Sequence, residues 1–252
     1  MSFATRARRS ILLAAERLGI EEQVKRLRAL TDAGLRRDLR DHSAMKLLTA
    51  VALDSDGNGI DVGAHEGAVL REMVRLAPRG RHLGFEPIPE FRARLEAEFA
   101  STPTVQIHGT ALSDAAGETT FHHVLTAPGF SGLKRREMAA GEEVREITVE
   151  TARLDDVLPD GFAPSLLKID VEGAELLVLR GAAEAVARHR PMVIFEHGVG
   201  GFERYGDAPG DLHDLLVKDC GLRIFDLAGD GPYSRDQFED VFTKPIWNFV
   251  AR

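Results

Sequence analysis

The spacing of apolar positions divides the chain into two parts. In residues 1–52, apolar residues recur at near-helical spacing, which predicts a few short amphipathic helices broken near Gly19 and Gly34. The next stretch, "LDSDGNG" (53–59), is rich in turn-forming residues and is the expected boundary. We therefore predict an N-terminal helical cap or oligomerisation segment at 1–52 and a main domain at 53–252.

In the main domain, short apolar runs alternate with helical patterns. The predicted strands are Ile60–Val62, His82–Phe85, Val105–Ile107, Leu166–Ile169, Met192–Phe195, Arg223–Leu227 and 246–251. The predicted helices are Ala68–Leu76, Glu90–Phe99, Ala174–Ala187 and Asp211–Lys218. This alternation predicts an α/β fold with a mostly parallel sheet and helices on both faces. No clear helix separates the last two strands, so we expect the last strand to run antiparallel to its neighbours.

Residues 118–151 interrupt the alternation. The two ends of this segment alternate as in a two-stranded ribbon, and its middle, "SGLKRRE", holds three basic residues at 134–136. Two interpretations stay open: the loop closes over a ligand and supplies positive charge to a phosphate on it, or it is a solvated loop. His122 and His123 fall on opposite faces of the ribbon and are expected to be ordinary strand positions.

Composition and charge narrow the class of protein. The chain has 252 residues, of which 44% are hydrophobic, enough for one large domain with an appended segment. Residues 1–50 carry 11 Lys and Arg against 6 Asp and Glu, a net charge of +5, which leaves −13 for the rest of a chain whose total is −8. Such an acidic body argues against nonspecific nucleic-acid binding. The lone Cys220 excludes an intrachain disulfide, and no apolar run is long enough for a transmembrane segment, so a cytoplasmic protein is expected.

The loop after the first strand, "IDVGAHEG", has the features of a nucleoside-binding turn. Gly63 and Gly67 let the backbone approach a ligand closely, and a helix N-terminus follows. Glu86 ends the second strand 23 residues after Gly63, where an acid accepts hydrogen bonds from both ribose hydroxyls. NAD and S-adenosylmethionine both satisfy this pattern. The glycine spacing and the acidic Asp61 and Glu66 disfavour a pyrophosphate, whereas Asp61 suits a ligand that carries an amino group and a sulfonium.

Five motifs together identify a family resemblance. The segments "IDVGAHEG", "GFEP", "ALSDAAGETTF", "LLKIDVEGAELLVLRGA" and "PMVIFEHG", in this order, resemble the FkbM family of S-adenosylmethionine-dependent methyltransferases over about residues 59–200. The resemblance implies the class I methyltransferase fold, a Rossmann-like seven-stranded sheet with a reversed last strand. It also implies O-methylation of a hydroxyl on a sugar or polyketide-type natural product.

The resemblance also implies which residues surround the cofactor. It places Asp61, Gly63 and Gly67 around the methionine part of S-adenosylmethionine and gives Glu86 the ribose hydroxyls. His65 stands where the family usually has Asn, and both side chains can form hydrogen bonds. In the segment that follows the third strand, Ala111 and Leu112 are expected to pack beside the adenine.

The reacting end is expected at "LLKIDVEGAE", after the fourth strand. An alcohol is a poor nucleophile while it is neutral, so it needs a base or a metal ion. Asp170 is the first choice for base, with Glu172 beside it, although an Asp in this place also suits a helix N-cap. His197 is a further candidate base. Asp170, Glu196 and His197 alternatively form a divalent-metal site, which we do not expect because their spacing is not diagnostic.

We therefore expect an O-methyltransferase with a small-molecule or carbohydrate acceptor, and a homo-oligomeric state stays open. Two alternatives remain at this stage. Glu86 permits an NAD-dependent oxidoreductase, although the glycine spacing disfavours it. A noncatalytic cofactor-binding module is the other alternative, and the acids crowded into residues 168–175 oppose it. Glu175 is expected in the first turn of the following helix, where it favours the helix dipole.

Overall fold

The computed structural model describes residues 28–136 and 141–252, with the side chain of Asp38 left out. The predicted break near Gly19 lies outside the described residues. The chain divides into two compact units between Met45 and Lys46, a position inside helix α1 (Ala33–Ala52). A turn at residues 30–32 precedes this helix, close to the break predicted near Gly34, and the side chain of Asp32 accepts a hydrogen bond from the amide of Leu35 at 3.0 Å.

The second unit contains the alternating elements that the pattern predicted. Its strands are β1 (Asn58–Val62), β2 (His82–Phe85), β3 (Val105–His108), β4 (Ala111–Leu112), β5 (Gly117–Val124), β6 (Val144–Ala152), β7 (Pro164–Ile169), β8 (Met192–Glu196), β9 (Ile224–Asp226) and β10 (Asn248–Ala251). Its helices are α2 (Ala68–Leu76), α3 (Pro89–Glu98), α4 (Leu154–Val157), α5 (Glu175–Arg180), α6 (Ala183–His189), α7 (Pro209–Asp214), which continues as a π-helical turn over Leu215–Asp219, and α8 (Arg235–Phe242).

Seven strands form one sheet in the order β3-β2-β1-β7-β8-β10-β9. The first five are parallel, and β10 lies antiparallel between β8 and β9. The predicted Rossmann-like class I methyltransferase fold with its reversed last strand is confirmed. The central strands are apolar on both faces because helices cover both, and Ile60, Leu83 and Leu167 are at most 1% exposed.

Two helix predictions were wrong. Helix α8 lies between the last two strands, where no helix was expected, and its start is a capping box in which Ser234 and Gln237 bond each other's backbone amides. The predicted helix at 174–187 is two helices, α5 and α6. They separate at Gly181, where a Cβ would lie 2.0 Å from the carbonyl oxygen of Ser113.

The interruption at 118–151 is the predicted ribbon. Strands β5 and β6 pair antiparallel from Gly117 with Thr151 to Val124 with Val144, and β4 pairs parallel with β6 to complete a three-stranded second sheet. His122 and His123 occupy successive positions on β5, as expected. Among the described residues, no helix has the length and apolar character needed to cross a membrane.

Candidate active site

The strand order reverses between β1 and β7, and the loops after these two strands touch. Gly63 follows β1 with φ 74°, and a Cβ on it would lie 1.9 Å from the carbonyl oxygen of Asp170. The amide of Asp170 donates to the carbonyl of Val62 at 3.1 Å. Glycine is required at position 63 by its φ and by this close backbone approach. The contact of Gly63 with a cofactor stays a prediction.

A buried lysine links the two loops. Lys168 Nζ lies 3.1 Å from Asp61 Oδ1 and 3.6 Å from Asp170 Oδ2, and it donates to the carbonyl of Gly63 at 3.0 Å. Burial alone would lower the pKa of Lys168, but the two aspartates raise it to about 12. Burial also raises the pKa of Asp61, against the effect of Lys168. Because the ammonium lies so close, we treat the pair as ionised, so the charge of Asp61 is already compensated within the chain.

Glu86 lies at the carboxyl end of β2 with both oxygens held by backbone amides. Its Oε2 accepts from the amide of His65 at 2.7 Å and its Oε1 from the amide of Ile88 at 2.8 Å. Burial, at 3% exposure, raises the pKa of Glu86 to about 7, although both amides act to lower it. A carboxylate oxygen accepts two hydrogen bonds, so each oxygen keeps a lone pair for a ligand.

The other predicted cofactor residues surround this edge. His65 has φ 48°, and its ring centroid lies 4.3 Å from that of Phe91. Gly67 has φ 80° and immediately precedes α2. Ala111 and Leu112 form β4 and are buried in apolar clusters, Ala111 in the one that contains Phe91 and Leu112 in the main core. Their role beside an adenine stays a prediction.

Three carboxyl groups meet at the carboxyl ends of β7 and β8. One oxygen from each of Asp170, Glu172 and Glu196 lies within 4.8 Å of the others, and we call these residues the acid cluster. The side chain of Asp170 is 47% exposed. Burial raises the pKa of Glu172 to about 8 and that of Glu196 to about 9, and repulsion from neighbouring carboxylates adds to both shifts. A hydrogen bond with Asp170 raises the pKa of Glu196 further.

Glu175 holds the loop that carries the acid cluster. It lies in the first turn of α5 as predicted, is 1% exposed, and its Oε1 accepts from the amides of Val171 at 3.0 Å and Gly173 at 3.2 Å. Burial raises the pKa of Glu175 to about 7, although these amides act to lower it. Its contacts are with the amides of the preceding loop, a more specific role than the general dipole effect that the sequence suggested.

His197 does not take the place that the sequence indicated. Its ring is 1% exposed and packs among phenylalanines, stacked on Phe238 at 4.8 Å and edge-on to Phe202 at 4.6 Å. Successive residues point to opposite sides of a strand, so the side chain of Glu196 points toward Asp170 and Glu172 while that of His197 points toward α8. Burial lowers the pKa of His197 to about 3, which makes it a weak base. The expectation that His197 is a general base beside Asp170 is therefore corrected.

A cavity of about 250 Å³ adjoins the acid cluster, and we call it the acid cavity. Glu172, Glu175 and Glu196 line one part of it, and the glycine-rich loop at 198–201 lines another. Aromatic and basic side chains complete it, and these are Phe130, Arg136, Phe202 and Trp247. His197 also contributes to the lining.

Some lining residues were not singled out by the sequence reasoning. Trp247 is the single tryptophan of the chain and immediately precedes β10. Because β10 runs antiparallel to β8, a residue just before β10 lies beside one just after β8, and the amide of His197 donates to the carbonyl of Trp247 at 2.7 Å. The predicted reversal of the last strand was thus a signal that could have located Trp247. Phe130 had no comparable signal, because it ends a three-residue 3-10 turn, Pro128–Phe130, inside the connection between β5 and β6.

The chain is similar to known methyltransferases. A family model described as "Methyltransferase FkbM domain" matches residues 61–224. Methyltransferase sdnD of Sordaria araneosa is 33% identical over 213 residues, which cover 72% of this chain and 79% of that protein. The AMB antimetabolite synthetase AmbE of Pseudomonas aeruginosa is 30% identical over 204 residues, which cover 67% of this chain but 10% of that protein.

Among solved structures, methyltransferase FkbM from Methylobacillus flagellatus has the same fold. The TM-score is 0.50 at 17% sequence identity, and the match covers 79% of this chain and 44% of that one. Methyltransferase 1 of Beauveria bassiana is 33% identical over 143 residues, which are 48% of this chain and 57% of that protein. The chain thus spans a tenth of the synthetase and just over half of methyltransferase 1.

Proposed function

This chain belongs to the FkbM methyltransferase domain family, and from that premise we propose that it transfers the methyl group of S-adenosylmethionine to a hydroxyl oxygen of a small acceptor. The observation that carries the proposal is the pair of sites on either side of the switch point. On one side Glu86 offers free lone pairs at the end of β2. On the other side Glu172 and Glu196 line a cavity at the ends of β7 and β8, and an oxygen of Asp170 lies within 4.8 Å of theirs.

The cofactor side fits an adenosine. Glu86 has its orientation fixed by the amides of His65 and Ile88, and its two remaining lone pairs match the two hydroxyl donors of a ribose. Hydrogen bonds from the ribose hydroxyls favour the ionised form of Glu86. They therefore oppose the effect of burial, which raises the pKa of Glu86 to about 7. Gly63 and Gly67 keep side chains away from the turn beside it. We propose that these residues, with Asp61 and His65, hold the cofactor.

On the acceptor side, Asp170 is the group best placed to act as a base. S-Adenosylmethionine, when bound, supplies a methyl carbon that its positively charged sulfur activates for in-line attack. What the chain adds is position and a proton acceptor. The half-exposed carboxylate of Asp170 accepts the proton of the acceptor hydroxyl, and Lys168 Nζ lies 3.6 Å from one of its oxygens. Glu172 and Glu196 flank it and contact the acceptor.

The two alternatives stand differently. Membership of a methyltransferase family argues against an NAD-dependent oxidoreductase. A noncatalytic cofactor-binding module can be distinguished from an active methyltransferase only by experiment. We propose an acceptor that is a carbohydrate or a related natural product, and an N-terminal segment at 1–52 that serves as a cap or an oligomer contact.

Two isosteric variants test the proposal. Glu86→Gln should weaken S-adenosylhomocysteine binding in calorimetry about tenfold or more, because a hydrogen bond to a charged group contributes about 1.5–3 kcal/mol. Asp170→Asn should bind S-adenosylhomocysteine like the wild type and transfer labelled methyl to hydroxyl acceptors about 100-fold more slowly. Glu118→Gln, an exposed change on the ribbon, is the matched control for both.

Cofactor binding and methyl transfer are measured separately, so the cofactor assignment and the assignment of the base can each be contradicted without the other. A wild-type chain that gives no binding heat with S-adenosylhomocysteine would overturn the cofactor assignment. Undiminished transfer by Asp170→Asn would instead remove Asp170 as the base, and binding without any transfer would favour the noncatalytic module.

A further inference from the structure

The acid cavity is lined by an excess of carboxyl groups over basic groups among the described residues. Glu172, Glu175 and Glu196 line it, and Asp170 lies within 4.8 Å of two of them. Among the described residues that line it, the one cation is Arg136, whose guanidinium already pairs with Glu142 at 3.0 Å and lies 3.6 Å from the Phe130 ring centroid. Lys168 already forms an ion pair with Asp61. The carboxyl groups around the cavity therefore outnumber the cations that line it, and burial, with repulsion between these groups added to it, raises the pKa values of Glu172 and Glu196.

The remaining walls favour a cation in a different way. Phe130, Phe202 and Trp247 bring three aromatic residues to the same cavity. Aromatic rings attract cations through their negative faces, and a Trp face does so best. Aromatic walls combined with carboxylates are the chemistry by which proteins recognise organic ammonium groups. A phosphate or carboxylate ligand would meet repulsion from any ionised acid at the cavity, and the phosphate-binding interpretation of the "SGLKRRE" loop stays a prediction that glucose 6-phosphate tests below.

The volume limits what enters. Pockets for drug-sized ligands enclose roughly 300–1,000 Å³. The acid cavity, at about 250 Å³, is smaller, so it accommodates one ring or a short chain rather than a nucleoside diphosphate sugar.

We propose that the acid cavity binds a protonated amino group of the acceptor, so that the hydroxyl methylated at Asp170 belongs to an amino alcohol or an amino sugar. This inference rests on the proposed function and names its acceptor class. Glu172 and Glu196 pair with the ammonium, the rings of Phe130 and Trp247 cover its apolar side, and the adjacent hydroxyl reaches Asp170.

Trp247 makes the proposal directly measurable. It is the only tryptophan of the chain, so its fluorescence reports on the occupancy of the cavity without any need for turnover. The full chain, saturated with S-adenosylhomocysteine and containing EDTA, is titrated with two matched pairs: glucosamine against glucose, and ethanolamine against ethylene glycol. Each amine should perturb Trp247 at a concentration at least tenfold lower than its neutral partner, and glucose 6-phosphate should bind more weakly than glucose.

Isosteric variants identify the carboxylates responsible. Glu172→Gln and Glu196→Gln should each reduce the preference for the amine at least fivefold by weakening the response to the amine more than the response to glucose, whereas Glu118→Gln should keep the full preference. Equal binding of amine and neutral partner, tighter binding of glucose 6-phosphate, or no response to either amine would overturn the proposal. So would a response that requires added Mg²⁺ or Mn²⁺, since the acid cluster would then hold a metal ion. Calorimetry of S-adenosylhomocysteine on the same samples shows separately whether the proposed function survives.

Discussion

At the scale of single residues, the switch point depends on Gly63. Its φ of 74° and the distance of only 1.9 Å that a Cβ would have to the carbonyl oxygen of Asp170 are two separate penalties for any other residue. Gly206 has a similar φ of 83° but nothing within 4 Å of its Cβ position, so Gly206→Ala measures the backbone penalty alone. We expect Gly206→Ala to lower the free energy of unfolding by about 1–2 kcal/mol. Gly63→Ala should lower it by roughly 2 kcal/mol more, because the loops after β1 and β7 must separate. Urea unfolding of both variants checks this, and equal losses would contradict it.

The residues of the acid cluster also show what a single sequence can reveal. Asp170 and Glu196 each follow or end a predicted parallel strand, and such ends meet at one edge of a sheet, so their proximity could be predicted. His197 was misplaced because helix α8, which supplies Phe238, was not recognised. Without that helix there was no apolar partner to draw the ring away from the acids. The missed helix and the misplaced histidine are therefore one error.

At the scale of elements, the loop between β7 and α5 is held by one side chain. Glu175→Ala removes the acceptor for the amides of Val171 and Gly173 and should lower the free energy of unfolding by about 2 kcal/mol. Methyl transfer should fall with it, because Asp170 and Glu172 lose their fixed positions. Glu175→Gln keeps an acceptor oxygen, so it should restore most of the stability and of the kcat. Cofactor binding, measured by calorimetry, should change little in either variant; a Gln variant as impaired as Ala would show that the charge, not the acceptor, matters.

The observed element boundaries agree with the predicted ones where local sequence signals determine them. Strands β2 and β7 and helix α2 were predicted well, since buried parallel strands appear as apolar runs between turn residues. Helix α8 had a local signal that was overlooked, the capping box from Ser234 to Gln237. The break between α5 and α6 had none, because the close approach of Gly181 to Ser113 joins residues far apart in sequence.

At the scale of the whole molecule, the buried acids make stability depend on pH. Glu86, Glu172, Glu175 and Glu196 all have pKa values raised by burial, to between about 7 and about 9. A carboxyl group whose pKa is higher in the folded than in the unfolded state stabilises the fold fully below its unfolded pKa. That contribution is lost as the pH rises through the folded pKa. The buried histidines act in the opposite sense, but below about pH 6.5, because burial lowers their pKa values.

Between pH 7 and 9 the carboxyl groups therefore act without opposition from the histidines. We expect the free energy of unfolding to fall by roughly 1–2 kcal/mol per pH unit in this range, since Glu172 and Glu196 still hold protons that the unfolded chain has released. Repulsion from Asp170, Glu172 and Glu175 contributes to the raised pKa of Glu196. Glu196→Gln replaces the protonated carboxyl group with a neutral amide that does not titrate. The variant should show about half the slope, and Glu118→Gln the full slope. Urea unfolding at several pH values measures both; a stability that rises from pH 7 to 9 would mean that the acid cluster is already compensated by a bound cation or by a different arrangement of its carboxyl groups.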